Sequence, residues 1–289
     1  MGNLKEVRNR IASVKSTQQI TKAMKMVSAA KLRKAQQRIV LMRPYAVKLK
    51  QMLSQLSASL EGSEALKFYE ARPVKNVLVI VISADRGLAG SFNSSIGKEA
   101  IRSLKGKYQN IKVDIVTVGK KGRDAIIRAN FTPFQENNGF FNKLTYEAAE
   151  SIAEYAMQSF IDGKYDVVEL VYNQFKNAAI FLTTSEQFLP IQENSEEGKS
   201  QFNVDYIFEP SKEEIVAQLV YQSLKIDFFR AVLESNAAEH GARMTAMDKA
   251  TENASDLLKD LKLRYNRERQ AAITNEILEI VGGAKALNS

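Results

Sequence analysis

The sequence predicts an α/β domain inserted between two long helices that pair as an antiparallel coiled coil. Three observations carry that fold class. Residues 211–287 contain no proline and, before Gly282-Gly283, a single glycine, Gly241. Within them Met244, Met247, Thr251, Ala254, Leu258, Leu261 and Tyr265 recur at alternating steps of three and four, the heptad period that winds two helices together. Leu4, Val7, Ile11 and Val14 begin a second such stripe at the other end of the chain, and between the two ends buried-strand runs alternate with helical patterns.

The N-terminal helix is expected over residues 1–60. No glycine lies between Gly2 and Gly62, and the first proline is Pro44, where the ring removes a hydrogen bond and a bend is expected. Gln18 and Thr21 interrupt its stripe, which Ile20, Met24 and Val27 are expected to resume. The interrupting polar residues either fix the register of the pair or keep this part of the rod from gripping a surface too tightly.

The texture changes after Arg72-Pro73. Asn76 to Ile82 is a run of β-branched and aliphatic residues, as in a strand buried on both faces. The turn Ser83-Ala84-Asp85-Arg86-Gly87-Leu88-Ala89-Gly90-Ser91-Phe92-Asn93 follows, then a helix to about Lys105. A strand over Val113–Val118, helices over about Lys121–Ala129 and Tyr146–Ile161, and a strand over Asp166–Tyr172 complete the alternation. Further strands are expected at Ala179–Thr184 and Gln201–Phe208, with a loop over Glu193–Ser200. The whole, residues 73–209, reads as a Rossmann-like domain with right-handed crossovers.

The C-terminal helix is expected over 210–289. Ser211 followed by Glu214 forms a capping box, with Pro210 just outside it. At 1.5 Å per residue it would be roughly 115 Å long, so it is expected to pair with the N-terminal helix and project from the body. Ile273, Ile277 and Ile280 are expected to continue the stripe after a shift in phase.

Charge is unevenly spread. The chain is net +8, yet residues 1–60 hold thirteen Lys or Arg against one acid, Glu6, which leaves the remainder net acidic. Lys22, Lys25, Lys31, Arg33, Lys34 and Arg38 could form a solvated face. A face of one sign repels itself, however, which favours an external acidic surface, a nucleic acid or anionic lipid. There is no cysteine, hence no disulfide, and the lone histidine, His240, has no thiolate or imidazole partner for a zinc site. No run of eighteen apolar residues and no signal-peptide core is present, so the expectation is a soluble intracellular chain.

Catalytic signals are weak. Gly87 and Gly90 do not form G-x-G-x-x-G, no phosphate-binding loop of the G-x-x-x-x-G-K-[ST] type occurs, and no serine lies in G-x-S-x-G. The glycines are expected to serve a tight turn, and Asp85 and Arg86 to pair locally or cap the next helix. His240 reads as a helix residue without an orienting constellation. Arg267, Arg269, Gln270, Thr274 and Glu276 cluster within three turns. Arg269 is free to pair with Tyr265 or to reach a carboxylate on another chain. Beyond them Ile277–Leu287 carries only Glu279 and Lys285, an apolar tip that needs enclosure.

These residues also carry a resemblance. Arg10-Ile11-Ala12-Ser13-Val14 and the run from Ser16-Thr17-Gln18-Gln19-Ile20-Thr21-Lys22-Ala23-Met24-Lys25-Met26-Val27 to Gln36 resemble the N-terminal helix of the gamma subunits of bacterial-type F-type ATP synthases. Ser83–Gly90 resembles that family's S-D-R-G-L-C-G turn, with Ala89 at the cysteine position. Ala242-Arg243-Met244-Thr245-Ala246-Met247 and Tyr265-Asn266-Arg267-Glu268-Arg269-Gln270-Ala271-Ala272-Ile273-Thr274-Asn275-Glu276-Ile277 resemble its signature C-terminal helix. The resemblance implies a non-catalytic rotor shaft in the bore of an alpha–beta ring. Its α/β foot would lie against the epsilon subunit and the membrane-embedded c ring, at the cytoplasmic face of the inner membrane. By position, Met24, Lys25, Arg269, Gln270, Thr274 and Glu276 correspond to residues that meet the beta subunit, and Tyr206 and Glu209 to the foot facing the c ring. A lysine, Lys25, follows Met24 where many relatives have glutamate. No cofactor or metal is implied. The alternative is a basic coiled-coil protein that binds nucleic acid or acts as a scaffold; the absence of any aromatic residue in 1–44 argues against stacked bases.

Overall fold

The computed structural model describes residues 2–56, 64–192 and 211–287. In chain order these form α1 (Gly2–Leu56), a 3₁₀ turn (Glu64–Phe68), β1 (Asn76–Ile82), α2 (Phe92–Lys105), β2 (Lys112–Val118) and α3 (Lys120–Arg128). There follow β3 (Gln135–Asn137), a second 3₁₀ turn (Phe140–Lys143), α4 (Tyr146–Ile161), β4 (Val167–Phe175), β5 (Phe181–Leu189) and α5 (Lys212–Leu287). The strand expected at Gln201–Phe208 lies outside the described residues. Contacts divide the chain into one unit of residues 1–28 and 244–289 and a second of residues 29–243.

The second unit is built on a five-stranded sheet of order β3-β2-β1-β4-β5, parallel except for β5, which runs antiparallel beside β4. β1 is central because it is apolar on both faces. Leu78, Ile80 and Ile82 pack with α4 and with Val216, Val220, Leu224 and Phe228 of α5. Val77, Val79 and Val81 face the other way, against Phe92, Ile96, Ala100 and Leu104 of α2 and Ile126 of α3. A sheet with both faces covered needs the near-continuous hydrophobic runs seen in the sequence. Thr145 caps α4 by accepting from the Ala148 N–H at 3.3 Å, and Ser211 accepts from the Glu214 N–H at 3.3 Å at the start of α5.

Polar bonds hold α5 to this sheet. Lys225 bridges Glu150 (2.7 Å) and Glu154 (2.6 Å) of α4. Arg230 meets Glu186 of β5 and donates to the Tyr172 hydroxyl. Gly241 lets the helix pass close to the β4–β5 turn, since a Cβ there would lie 2.8 Å from the Ala178 carbonyl oxygen. One charged side chain sits inside the sheet: Glu169 on β4 is fully buried and accepts from Lys107 Nζ (2.6 Å), the Tyr108 hydroxyl (2.5 Å) and Ser185. These three donors outweigh the cost of burial and hold its carboxyl below the usual range.

In the first unit α1 and α5 pair along the heptad stripe. Val7, Thr21 and Ser28 are buried on α1, with Leu4, Ile11, Val14 and Gln18 partly so; on α5, Met247, Ala254, Leu258 and Leu261 are buried. One expectation is corrected here. Ile20 and Val27 do not resume the α1 stripe: they are 56% and 57% exposed. The three–four spacing runs unbroken through Gln18, Thr21, Lys25 and Ser28, and these polar residues find polar partners. Gln18 Nε2 donates to Ser255 Oγ (2.6 Å), the Thr21 and Thr251 hydroxyls lie 2.8 Å apart, and Lys25 Nζ reaches Asp248 Oδ1 at 2.5 Å.

Candidate partner-contact surfaces

The end of α5 presents the most distinctive surface. Arg8 Nη2 donates to the Tyr265 hydroxyl at 3.1 Å, and α1 begins only six residues before Arg8. Those six residues carry α1 about 9 Å past the contact, so among the described residues α5 has no helix of its own chain beside it beyond about residue 271. The remaining residues, 272–287, span about 24 Å at 1.5 Å per residue. Ile273, Ile277 and Ile280, expected as a continued stripe, are 49–67% exposed instead, as are Leu278 and Val281. The phase shift in the sequence marks the place where the intrachain partner runs out.

Four of the candidate residues lie on this end. Arg269, Gln270, Thr274 and Glu276 are all exposed. Arg269 does not pair with Tyr265, whose hydroxyl is taken by Arg8, and among the described residues neither Arg267 nor Arg269 forms an intrachain ion pair. Their guanidinium forks are open to a carboxylate from outside.

Met24 and Lys25 form a separate locus. Lys25 lies level with Asp248, about 30 Å along α5 from Arg269. Both residues are partly buried, and the Lys25 ammonium already has Asp248 as counter-ion. Around them the outer face of α1 carries exposed Ile20, Met26 and Val27 beside Lys22. The sequence stripe places Ile20 and Val27 inward, so this apolar component shows only in the structure. In the second unit Lys31, Arg33, Lys34 and Arg38 are exposed and, among the described residues, unpaired by any carboxylate within 4 Å. Tyr206 and Glu209 lie outside the described residues.

The turn after β1 occupies the place where a doubly wound sheet holds a nucleotide: β1 is flanked by β2 on one side and β4 on the other. Its carboxylate and two of its carbonyls are satisfied internally. Asp85 Oδ1 accepts the Lys120 N–H (3.1 Å) and the Gly139 N–H (2.8 Å), and Oδ2 accepts the Phe141 N–H (3.1 Å). Asp85 thus caps α3 and ties in the following 3₁₀ turn. The Arg86 and Gly87 carbonyls accept from Arg243 Nη2 at 3.4 and 3.2 Å, and Arg243 pairs with Glu239 at 2.7 Å. Leu88, at φ +60, stands 66% exposed at the crest of the turn.

His240 sits one residue after Glu239. Burial first, then Arg243 and Lys31, push its pKa down to about 4, and its Nδ1 has no hydrogen-bond partner. A neutral imidazole without an orienting carboxylate lacks the arrangement of a general base. Among the described residues no group of three or more His, Asp or Glu could hold a metal, and no helix is long and apolar enough to cross a membrane.

A family model described as ATP synthase matches residues 3–287. The chain is 56% identical over 295 residues to the ATP synthase gamma chain of Cytophaga hutchinsonii and 57% identical over 289 residues to that of Christiangramia forsetii, with all of each chain covered in both cases. Its fold is similar to a chain in the structure of the Tetrahymena thermophila mitochondrial ATP synthase central stalk and c ring, with TM-score 0.61 and 27% identity, covering 80% of this chain and 99% of the other.

Proposed function

The chain belongs to the ATP synthase gamma-chain family, and from that premise we propose that it is the central-stalk rotor of a proton-translocating ATP synthase. Rotation of the paired helices couples ion flow through a membrane c ring to nucleotide turnover at beta-subunit sites, and this chain performs no chemistry itself. The observation that carries the reading is the end of α5: exposed and apolar at Ile273, Ile277 and Ile280, and bearing Arg267 and Arg269, which among the described residues form no ion pair. Such a surface requires a sleeve that encloses the apolar side chains and presents carboxylates.

On this reading residues 1–60 and 210–289 are the two halves of the shaft and 73–209 the foot. Arg269, Gln270, Thr274 and Glu276 meet the beta subunits at the upper locus, and Met24 and Lys25 at the lower. Tyr206 and Glu209 face the c ring and epsilon. The chain is a peripheral subunit at the cytoplasmic face of the membrane. Torque transmission sets a physical requirement: no orientation of the shaft can be bound so tightly that rotation stalls.

The test is reconstitution with alpha, beta, epsilon and the membrane sector. Wild-type chain should copurify with them. Arg269→Ala should assemble and hydrolyse ATP, yet pump fewer protons per ATP. Loss of all ATPase-active complex in Arg269→Ala, or failure of the wild-type chain to assemble, would overturn the reading.

A further inference from the structure

Independently of the rotor reading, we propose that Tyr155 on α4 is a modification site of the chain, a phenol primed by Lys164 to take an acyl group from an activated acyl donor. The site is a surface cluster of four side chains. Lys164 Nζ donates to the Tyr155 hydroxyl oxygen at 2.9 Å and stands 4.5, 5.3 and 5.0 Å from the ring centroids of Phe134, Tyr155 and Tyr165. Phe134 stacks on Tyr155 with centroids 6.2 Å apart, so three rings hold the ammonium where it faces one oxygen. Lys164 and Phe134 are exposed and Tyr155 is half-buried, which leaves the cluster open to a small reagent from solvent.

The two tyrosines of the cluster are driven apart. The Tyr165 hydroxyl lies 3.4 Å from that of Tyr155 and donates to Asp114 Oδ2 at 2.8 Å. Burial first, then Tyr155 and Asp114, hold Tyr165 protonated. Burial opposes ionisation of Tyr155 too, but its hydrogen bonds with Lys164, Tyr165 and Ser159 outweigh it and hold its pKa below the ordinary 10. Burial pushes Tyr108, Tyr146 and Tyr172 the other way. An ammonium set against a phenol activates an otherwise weak oxygen nucleophile. The step is an acyl transfer. Tyr155 gives its proton to solvent, and the phenolate oxygen bonds to the carbonyl carbon of the donor. The bond from that carbon to the leaving group breaks; the leaving group keeps the electron pair and takes a proton from water. Lys164 positions the oxygen and makes no bond.

The experiment treats the full-length chain with N-acetylimidazole near neutral pH and follows each tyrosine by peptide mass mapping. Tyr155 should be acetylated ahead of Tyr45, although Tyr45 is the more exposed phenol at 56%. Hydroxylamine should then remove the group, since it cleaves aryl esters and spares amides. Lys164→Met keeps an apolar stem against the rings without the charge, and should slow labelling of Tyr155 to the rate of Tyr45 or below. Lys164→Arg should retain part of the preference. Should Lys164→Met fail to fold, the order of labelling in wild type decides alone. Labelling of Tyr45 before or together with Tyr155, a hydroxylamine-resistant group on the Tyr155 peptide, or an unchanged rate in Lys164→Met overturns the proposal.

Discussion

Thr21 on α1 and Thr251 on α5 meet hydroxyl to hydroxyl at 2.8 Å in the seam of the helix pair, 230 residues apart in sequence. Each hydroxyl also has a carbonyl of its own helix within reach, Gln18 for Thr21 and Met247 for Thr251. An apolar pair of the same shape would pack as well without desolvating two hydroxyls. The double variant Thr21→Val/Thr251→Val should therefore stabilise the helix pair by about 1 kcal/mol. Either single variant should give less, because the other hydroxyl stays buried. Denaturant unfolding of the four proteins of the cycle checks this.

Arg230 is the most heavily engaged cation on α5. Glu186, Asp227 and Glu234 lie within 3.5 Å and the Tyr172 hydroxyl accepts from it, so its pKa is raised despite burial. Arg230→Met would leave a cluster of carboxylates and a buried Tyr172 without their cation. The expected cost is about 3 kcal/mol, seen as a fall in Tm of about 6–12 °C. Adding Glu186→Gln should recover part of it.

Gly241 tests the contact between α5 and the β4–β5 turn. Alanine gains about 1 kcal/mol of helix propensity over glycine, but its Cβ would lie 2.8 Å from the Ala178 carbonyl oxygen. Backbone cannot yield as a side chain does, so Gly241→Ala should be net destabilising and Gly241→Val more so, by about 2–3 kcal/mol. Calorimetry of both variants decides whether clash or propensity wins.

His240 makes stability depend on acid. Its folded pKa of about 4 lies below the ordinary value of 6.5, so the native state holds it neutral while the unfolded chain binds a proton. The preference is fully present above about pH 6.5 and is lost as pH falls toward 4. Between those limits His240→Asn should flatten the pH dependence of unfolding by at most about 3 kcal/mol. Buried Glu239 and Glu234, whose pKa values are raised by burial, act in the opposite sense and are common to both proteins, so the difference isolates the imidazole.

Much of the fold was legible because periodicity survives translation into packing. β1 and α4 begin and end where the sequence placed them, and the α5 stripe from Met247 to Tyr265 faces inward as its spacing requires. β3 is three residues long and polar, too short to leave a period, and the antiparallel sense of β5 depends on which edge of the sheet it joins. On α1 apolarity misleads: Ile20 and Val27 face out, whereas polar Gln18 and Thr21 keep the heptad, and the matching signal lies on α5, where Ser255 meets Gln18 and Thr251 meets Thr21. The turn after β1 was harder, since what fills it comes from residues 120, 139 and 141, and no local motif announces those donors.

The bond between Arg8 and Tyr265 joins residues 257 positions apart. During translation the first helix leaves the ribosome long before the segment that will cover its seam exists. At cellular elongation speeds that wait is on the order of tens of seconds. A basic helix with a bare seam must stay soluble throughout that interval, and the hydroxyls, amide and ammonium set into it make the nascent chain a poor partner for its own copies.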